Sequence, residues 1–324
     1  MKISFWIDTE WAFGRIAQAL KKYSKHQIDI YSWHKPTDGN EFRNYDLVYI
    51  PVWGIQQLFH RWYPSIKTPI AFSMHGVAEL FNWNLETLTH RPINSNQVEH
   101  CCIPKEVQNV LNSQHVVSCV SRELIDLLRP QTSCSLMYTP CGVDLDTFYK
   151  PFKTHKNLTV ICPTKPEFQD TYISCTTHGY DVKRWHLVKK IQELLPNIEF
   201  KFLPKRLALD EMPEFYYQGN VILCLSHSEG GPLGILEAGA MGVVPISTPV
   251  GITPEVIIPN FNGRLLASQT ENDLVDEVVY TLQRWDNISQ MQRNIQETIL
   301  ASRSWEYVIS SWDKFFEEAV KNEN

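Results

Sequence analysis

Asn220-Val-Ile-Leu-Cys-Leu-Ser226-His-Ser-Glu229-Gly-Gly-Pro-Leu-Gly234-Ile-Leu-Glu237-Ala-Gly-Ala-Met-Gly242-Val-Val-Pro-Ile-Ser-Thr-Pro249 is the stretch that decides the fold. Asn220–Leu225 is a short apolar run of strand length, and Val243–Ser247 is a second. Between them lie a glycine-rich turn and a helical segment. Pro232 fits the first helical position, where a missing N–H costs nothing. Strand, turn, helix and strand in this order make a βαβ unit, which calls for a parallel sheet with helices on its faces.

The same stretch carries candidate chemistry. Gly230, Gly231 and Gly234 let backbone approach a ligand closely, and the amides of a first helical turn have no partner within the helix. With the helix dipole, worth roughly 0.3–1 kcal/mol, that makes an anion site suited to a phosphate. Glu229 stands at the lip of the loop, at the carboxyl end of the strand, where open α/β sheets bind ligands. Glu237 lies eight residues on and can face the same cleft, as a carboxylate that accepts a ribose diol. The alternative is that Glu229 caps the helix and Glu237 is a solvated helix residue. Neither GxGxxG nor GxxxxGK[ST] occurs, so the dinucleotide fingerprint and the P-loop are both excluded.

Outward from this unit the rhythm repeats. The first half predicts strands at Lys2–Ile7, Gln27–Trp33, Asp46–Pro51, Pro69–Ser73, His115–Val120 and Ser135–Thr139. The second half adds Leu158–Cys162, Ile198–Leu203 and Gly263–Leu266. Helical patterns cover Gly14–Ser24, Ser121–Leu128, Lys183–Leu195, Asn272–Trp285, Asn287–Ala301 and Ser304–Lys321. The basic, proline-containing stretch Tyr149–Asn157 has no periodicity and divides two such series. The expectation is an α/β chain of two doubly wound Rossmann-like parallel-sheet domains, 1–152 and 153–303. The aromatic segment 304–324 packs either on its own domain or back on the first, and spacing leaves both open.

Composition narrows the class. The 324 residues are 43% hydrophobic and 20% charged, as in ordinary globular proteins. No apolar run approaches the roughly 20 residues of a membrane span, and the first strand is too short for a signal peptide. Residues 1–150 hold 14 basic and 14 acidic side chains, so the remainder carries the whole net charge of −6. That balance argues against nonspecific nucleic-acid binding. Eight cysteines without a CxxC, several inside predicted strands, read as reduced thiols of a cytoplasmic protein.

Glu229-x7-Glu237 within S-E-G-G-P-L-G-I-L-E-A-G-A-M-G-V-V-P-I resembles the donor-site signature of the family-4 (group 1) retaining glycosyltransferases of GT-B fold. Thr139-Pro-Cys-Gly-Val-Asp144-x3-Phe148 looks like the family's P-x-G-V-D-x3-F segment. Val250-Gly-Ile-Thr-Pro-Glu255 with Asn262-Gly263 is similar to the turn and N-G strand after the donor helix. Val120-Ser121-Arg-Glu-Leu resembles its V-S-x-x-L helix start. The likeness is dense from about 220 to 266.

The resemblance implies two such domains facing a cleft, with the acceptor on the first and the nucleotide sugar on the second. It places Glu229 near the transferred anomeric carbon and Glu237 on ribose hydroxyls. Backbone around Gly230, Gly231, Leu233 and Gly234 then faces sugar and diphosphate. Lys183 stands where the family has a diphosphate-binding lysine. The family arginine after the preceding strand is absent; Lys165 stands there instead, keeping the charge but not the bidentate fork, and Arg184 is the other candidate substitute. His75, in Ser73-Met-His75-Gly76, corresponds to a histidine that reaches the transferred sugar; unaided, a lone histidine after a strand reads as structural. Trp11 and Gly14 lie in the loop the family places beside acceptor and phosphate, and Trp11 with Phe13 reads equally as a stacking face or as buried packing.

Other features read blandly. His100-Cys101-Cys102 lacks the paired spacing of zinc sites. The aromatic stretch from Pro51 to Asn84, with Trp53, Trp62 and Trp83, reads as core before acceptor groove. Lys21, Lys22 and Lys25 read as a solvated face, or as weak attraction to an anionic membrane surface, at roughly 1 kcal/mol per charge.

The expectation is a retaining enzyme moving a sugar from a UDP-, GDP- or dTDP-linked donor to a glycan or other hydroxyl acceptor. It needs no metal or other cofactor, and it works in the cytoplasm or at the inner membrane surface. The alternatives are a non-catalytic nucleotide-sugar-binding partner subunit and a DNA-modifying glycosyltransferase of phage type.

Overall fold

A computed structural model describes residues 1–7, 12–32, 35, 37–52, 56–77, 80, 83–84, 89–90, 102–153, 155–163, 183–203, 207–268, 270–285 and 288–321. The chain divides into two compact units, Met1–Cys141 with Trp305–Asn324, and Gly142–Ser304.

In the first unit, β1 (Lys2–Ile7), β2 (Gln27–Ser32), β3 (Leu47–Ile50) and β4 (Ile70–Met74) precede a small antiparallel pair, β5 (Trp83–Asn84) and β6 (Thr89–His90). β7 (Val116–Cys119) and β8 (Ser135–Tyr138) follow. The main sheet runs β2-β1-β3-β4-β7-β8, with every neighbouring pair parallel. Among the described residues α1 (Ala12–Tyr23), α2 (Gln56–Trp62), α3 (Lys105–Asn112) and α4 (Arg122–Leu128) accompany it. Strands covered on both faces must be apolar throughout, which is why Ile3, Phe5, Trp6 and Ile7 are all buried. Ser121 caps α4 by accepting from the Leu124 amide.

The aromatics of the 51–84 stretch that are described divide. Phe59 and Tyr63 are buried with Phe42 around Trp6, whereas Trp62 is half exposed. Trp53 and the Trp83 side chain lie outside the described residues. Ser4 Oγ in β1 is buried without a hydrogen-bond partner among the described residues, but several other polar side chains inside the sheet pair with one another. A chain of buried hydroxyls crosses it from Tyr49 through Ser73 and Ser118 to Thr139, with Ser73 Oγ donating to Ser118 Oγ at 2.9 Å.

The second unit opens with α5 (Leu145–Phe148). Its strands are β9 (Thr159–Cys162), β10 (Glu199–Phe202), β11 (Val221–Cys224), β12 (Val244–Ser247) and β13 (Arg264–Leu265). They form a parallel sheet in the order β10-β9-β11-β12-β13. Helices α6 (Trp185–Leu194), α7 (Met212–Tyr216), α8 (Leu233–Ala240), α9 (Thr253–Val256), α10 (Glu271–Gln283) and α11 (Ile288–Ser302) join them. Val160, Val188, Ile191, Leu223, Ile246 and Val278 lie in its core. The strand order reverses between β9 and β11, and open sheets of this winding bind ligands outside the carboxyl ends of the strands at that point. The loop after β11 begins with Leu225 and Ser226.

The boundary lies earlier than the sequence suggests, because the aperiodic stretch after Phe148 is strapped onto the second unit. Phe148 is buried beside Tyr216, with ring centroids 6.3 Å apart. Gln296 Nε2 donates to the Lys150 carbonyl at 2.6 Å, Tyr217 Oη to that of Pro151 at 3.0 Å, and Gln292 Nε2 to that of Lys153 at 3.3 Å. Hydrogen bonds anchor this strap, so it shows no hydrophobic period. The chain enters and leaves the second unit at one place, where the Val143 amide donates to Arg303 O at 2.8 Å and Val143 bridges Ser304.

The final helix, α12 (Trp305–Ala319), belongs to the first unit. Trp312, Phe315 and Phe316 are fully buried around Tyr49, at centroid distances of 6.1, 6.1 and 5.4 Å. Trp312 Nε1 donates to Pro140 O at 2.9 Å, and Ser24 Oγ to Asp313 at 2.5 Å. Lys25 pairs with Glu317 at 2.6 Å, so one lysine of the basic face serves this docking. Among the described residues no helix is long and apolar enough to cross a membrane, and six cysteines are free thiols.

Candidate functional site

The loop after β11 is held from below. The Ile252 amide donates to Gly230 O at 2.9 Å, and Thr248 Oγ1 to Ser226 O at 2.6 Å. Gly251 has a φ of +55°, and a Cβ there would lie 2.1 Å from Gly230 O and 2.8 Å from Glu229 O. The Val250-Gly-Ile-Thr-Pro-Glu turn is therefore the bed of the loop, and only glycine lets the two backbones meet. Thr253 ties the turn together, accepting from the Val250 amide at 3.0 Å and donating to Thr248 O at 2.9 Å. Asn262 accepts from the Ile258 amide and donates to Val256 O, at 2.7 and 2.9 Å.

On this bed Glu229 receives two groups at one oxygen. Ser226 Oγ donates to its Oε1 at 2.7 Å, and Lys183 Nζ forms an ion pair with the same atom. Glu229 is thus not the cap of α8. Pro232 occupies that position, so the helix starts one residue later than expected, at Leu233. α8 is buried around nearly its whole circumference, and Glu237, at 4% exposure, is no solvated helix residue. Tyr216 Oη donates to Glu237 Oε2 at 2.9 Å. Gly234 also has a different reason from close approach to a ligand. A Cβ there would meet Tyr216 Oη at 3.3 Å, so the missing side chain makes room for the phenol.

Lys183 precedes α6 instead of opening it, because Arg184 is the N-cap and sits in the left-handed region at φ 48°, ψ 47°. That conformation costs a non-glycine residue on the order of 1–2 kcal/mol. The buried Arg184 guanidinium donates to His227 Nδ1 at 2.6 Å. Arginine has only donors, so His227 accepts at Nδ1, and the neutral ring carries its proton on Nε2. Nearby, a hydrogen bond from His186 holds the Glu271 carboxyl below its ordinary range, helped by the charges of His186 and Arg184. Burial, and then the Glu229 charge, pushes the Cys224 thiol up.

The second unit thus gathers Glu229, Lys183, Arg184, Gly230, Gly231, Leu233, Gly234 and Glu237 on three neighbouring segments. Sequence reasoning passed over His227 and Tyr216. His227 had one local signal, its place two residues before Glu229; Tyr216 had none. Lys165 lies outside the described residues, as do Trp11, His100 and Cys101. In the first unit His75 directly follows β4, half-buried with Nε2 enclosed. Its ring stands edge-on to Phe13 at 4.8 Å, and burial lowers its pKa to about 3. Gly14 is buried in the first turn of α1, inside the helix and not in the preceding loop. Among the described residues no group of three or more His, Cys, Asp or Glu side chains could hold a metal ion.

The model of the family described as glycosyl transferases group 1 matches residues 148–298. The uncharacterized glycosyltransferase MJ1178 of Methanocaldococcus jannaschii is 27% identical over 134 residues, 41% of this chain and 38% of that relative. The aligned stretch thus spans well under half of the relative's length. Among solved structures, sucrose-phosphate synthase from Thermosynechococcus elongatus superposes with a TM-score of 0.66 at 14% identity, covering 98% of both chains. Anabaena HepE in complex with UDP-glucose gives 0.63 at 12% identity, covering 98% of this chain and 99% of that one. Residues 148–298 are thus similar to the group 1 glycosyl transferases, and the chain carries the GT-B fold.

Proposed function

We propose that this protein is a retaining glycosyltransferase that moves a sugar from a nucleotide-sugar donor to an acceptor hydroxyl. The observation that carries the reading is the placing of Glu229, paired with Lys183, on a glycine loop opening α8 at the reversal point of the second sheet. A diphosphate is met there by Lys183 and Arg184 and by the first amides of α8, whose dipole favours the leaving charge. Those cations and amides serve in place of a metal. Glu237 takes the ribose hydroxyls. HepE, of the same fold, is known in complex with UDP-glucose, which favours a nucleoside-diphosphate sugar as donor.

Attack occurs on the face from which the phosphate departs, and that phosphate accepts the acceptor's proton. Glu229 steadies the positive character of the anomeric centre and positions the sugar. His75, in the first unit, is neutral at physiological pH, so any part it takes is that of a hydrogen-bonding group and not of a cation. The free thiols support a reducing, cytoplasmic setting.

The test is a thermal-shift panel of UDP, GDP, dTDP, ADP and their common sugars on wild type and Glu237→Ala. A ligand at 100 times its Kd adds about 2.7 kcal/mol, a shift of several degrees. Stabilisation of the wild type alone by one nucleotide supports the donor site. No shift from any of them overturns it.

A further inference from the structure

Glu237 is a carboxylate inside a buried helix, and a buried charge needs hydrogen-bond donors. Tyr216, on α7, supplies one at 2.9 Å. The phenol has little freedom of its own. Tyr216 is 1% exposed, and its ring is wedged between Phe148 and Phe215 at centroid distances of 6.3 and 5.8 Å. Gly234, one turn before Glu237 on α8, is small enough for the hydroxyl to rest against the helix. A bond from a fixed donor to one carboxylate oxygen sets the rotation of the whole group. A diol that is to bind both oxygens needs that rotation right.

We propose that Tyr216 is a positioning residue that sets Glu237 for a ribose diol, so that preference for ribo- over 2′-deoxyribonucleotides depends on a phenol behind the carboxylate. This rests on the reading of Glu237 as the ribose-binding group. Tyr216→Phe keeps the ring and its packing but removes the donor that fixes Glu237 Oε2. Gly234→Ala acts on the same contact from the other side, pressing a methyl group onto the hydroxyl. Both variants lose ribose discrimination, and the double variant loses little more, because removing the hydroxyl makes room for the methyl.

The experiment measures Kd by calorimetry for UDP, GDP and ADP, each against its 2′-deoxy counterpart. The proteins are wild type, Tyr216→Phe, Gly234→Ala, the double variant and Glu237→Ala, with thermal unfolding recorded for each. The expected result is that Tyr216→Phe binds the ribonucleotide about tenfold more weakly, as for a lost hydrogen bond to a charged group, with the deoxy affinity unchanged. A purely structural role would weaken both sugars alike, or lower the unfolding temperature alone, and either result overturns the proposal. If Glu237→Ala loses the discrimination and Tyr216→Phe keeps it, the ribose reading stands and the role of Tyr216 falls. If wild type binds neither nucleotide series, both fall together.

Discussion

Lys183 and Glu229 hold each other: the ammonium expected to bind a diphosphate is paired with the carboxylate expected beside the anomeric carbon. The lysine is 43% exposed and the glutamate 15%, so the pair stands at the edge of the loop and not in the core. A partly exposed pair of this kind is worth about 1 kcal/mol at most. On the function proposed above, an incoming diphosphate would compete with Glu229 for Lys183 and leave the carboxylate free to face the sugar.

Glu229→Gln consequently abolishes transfer and tightens binding of the bare nucleoside diphosphate by up to about fivefold, the equivalent of that pair. Calorimetric titration of both proteins with the nucleotide found by thermal shift checks this. A weaker affinity in the variant would mean that Glu229 holds the ligand itself.

Gly251→Ala strikes the bed of the loop. The new methyl group would overlap Gly230 O in a backbone conformation that disfavours side chains. Displacement of the loop costs on the order of 2–4 kcal/mol. Denaturant unfolding should show that loss together with loss of nucleotide binding, and a variant of wild-type stability would refute the close packing described.

Arg184→Gly separates strain from function. Glycine adopts the left-handed conformation freely, a gain of about 1 kcal/mol, and the lost hydrogen bond to His227 offsets it by about as much. Stability should barely move while nucleoside-diphosphate affinity falls, as measured by unfolding and titration side by side. A large drop in stability with normal affinity would make Arg184 a structural residue.

His75 gives a pH signature with a defined sign. Its folded-state pKa, about 3, lies below the ordinary imidazole value of 6.5, so the unfolded chain binds the extra proton between those two values. Stability therefore rises with pH from about 3 to about 6.5, and that contribution is fully present above 6.5. Replacing His75 by glutamine should flatten the slope in this window, as followed by urea midpoints at several pH values. An unchanged slope would show that the ring titrates normally in the folded protein.

Much of this was legible in the chain itself, for a physical reason. A strand buried on both faces is written as a continuous apolar run, and β1 and β11 could hardly be read otherwise. The glycine-rich turn carrying Glu229 was legible because strand, glycines and helix follow one another directly, whereas the burial of Glu237 against Tyr216 was not. What escaped were partnerships across distance. Tyr216 meets Glu237 across 21 residues, Arg184 meets His227 across 43, and Trp312 meets Pro140 across 172. Each is a single hydrogen bond made by packing, and no local period announces it. The β5–β6 pair is too short to leave a pattern, and the strap after Phe148 looks like a linker because its bonds are made by its backbone carbonyls.

The path of the chain also sets an order of events during synthesis. By the time residue 141 has been made, the first unit has all the strands of its main sheet, yet the helix that covers Tyr49 is still more than 160 residues away. The second unit, begun later, has all its parts first. A ribosome therefore releases a finished second unit while the sheet around Tyr49 still waits for Trp312, Phe315 and Phe316. A premature stop near residue 304 would spare the unit just completed and cripple the one at the opposite end of the message.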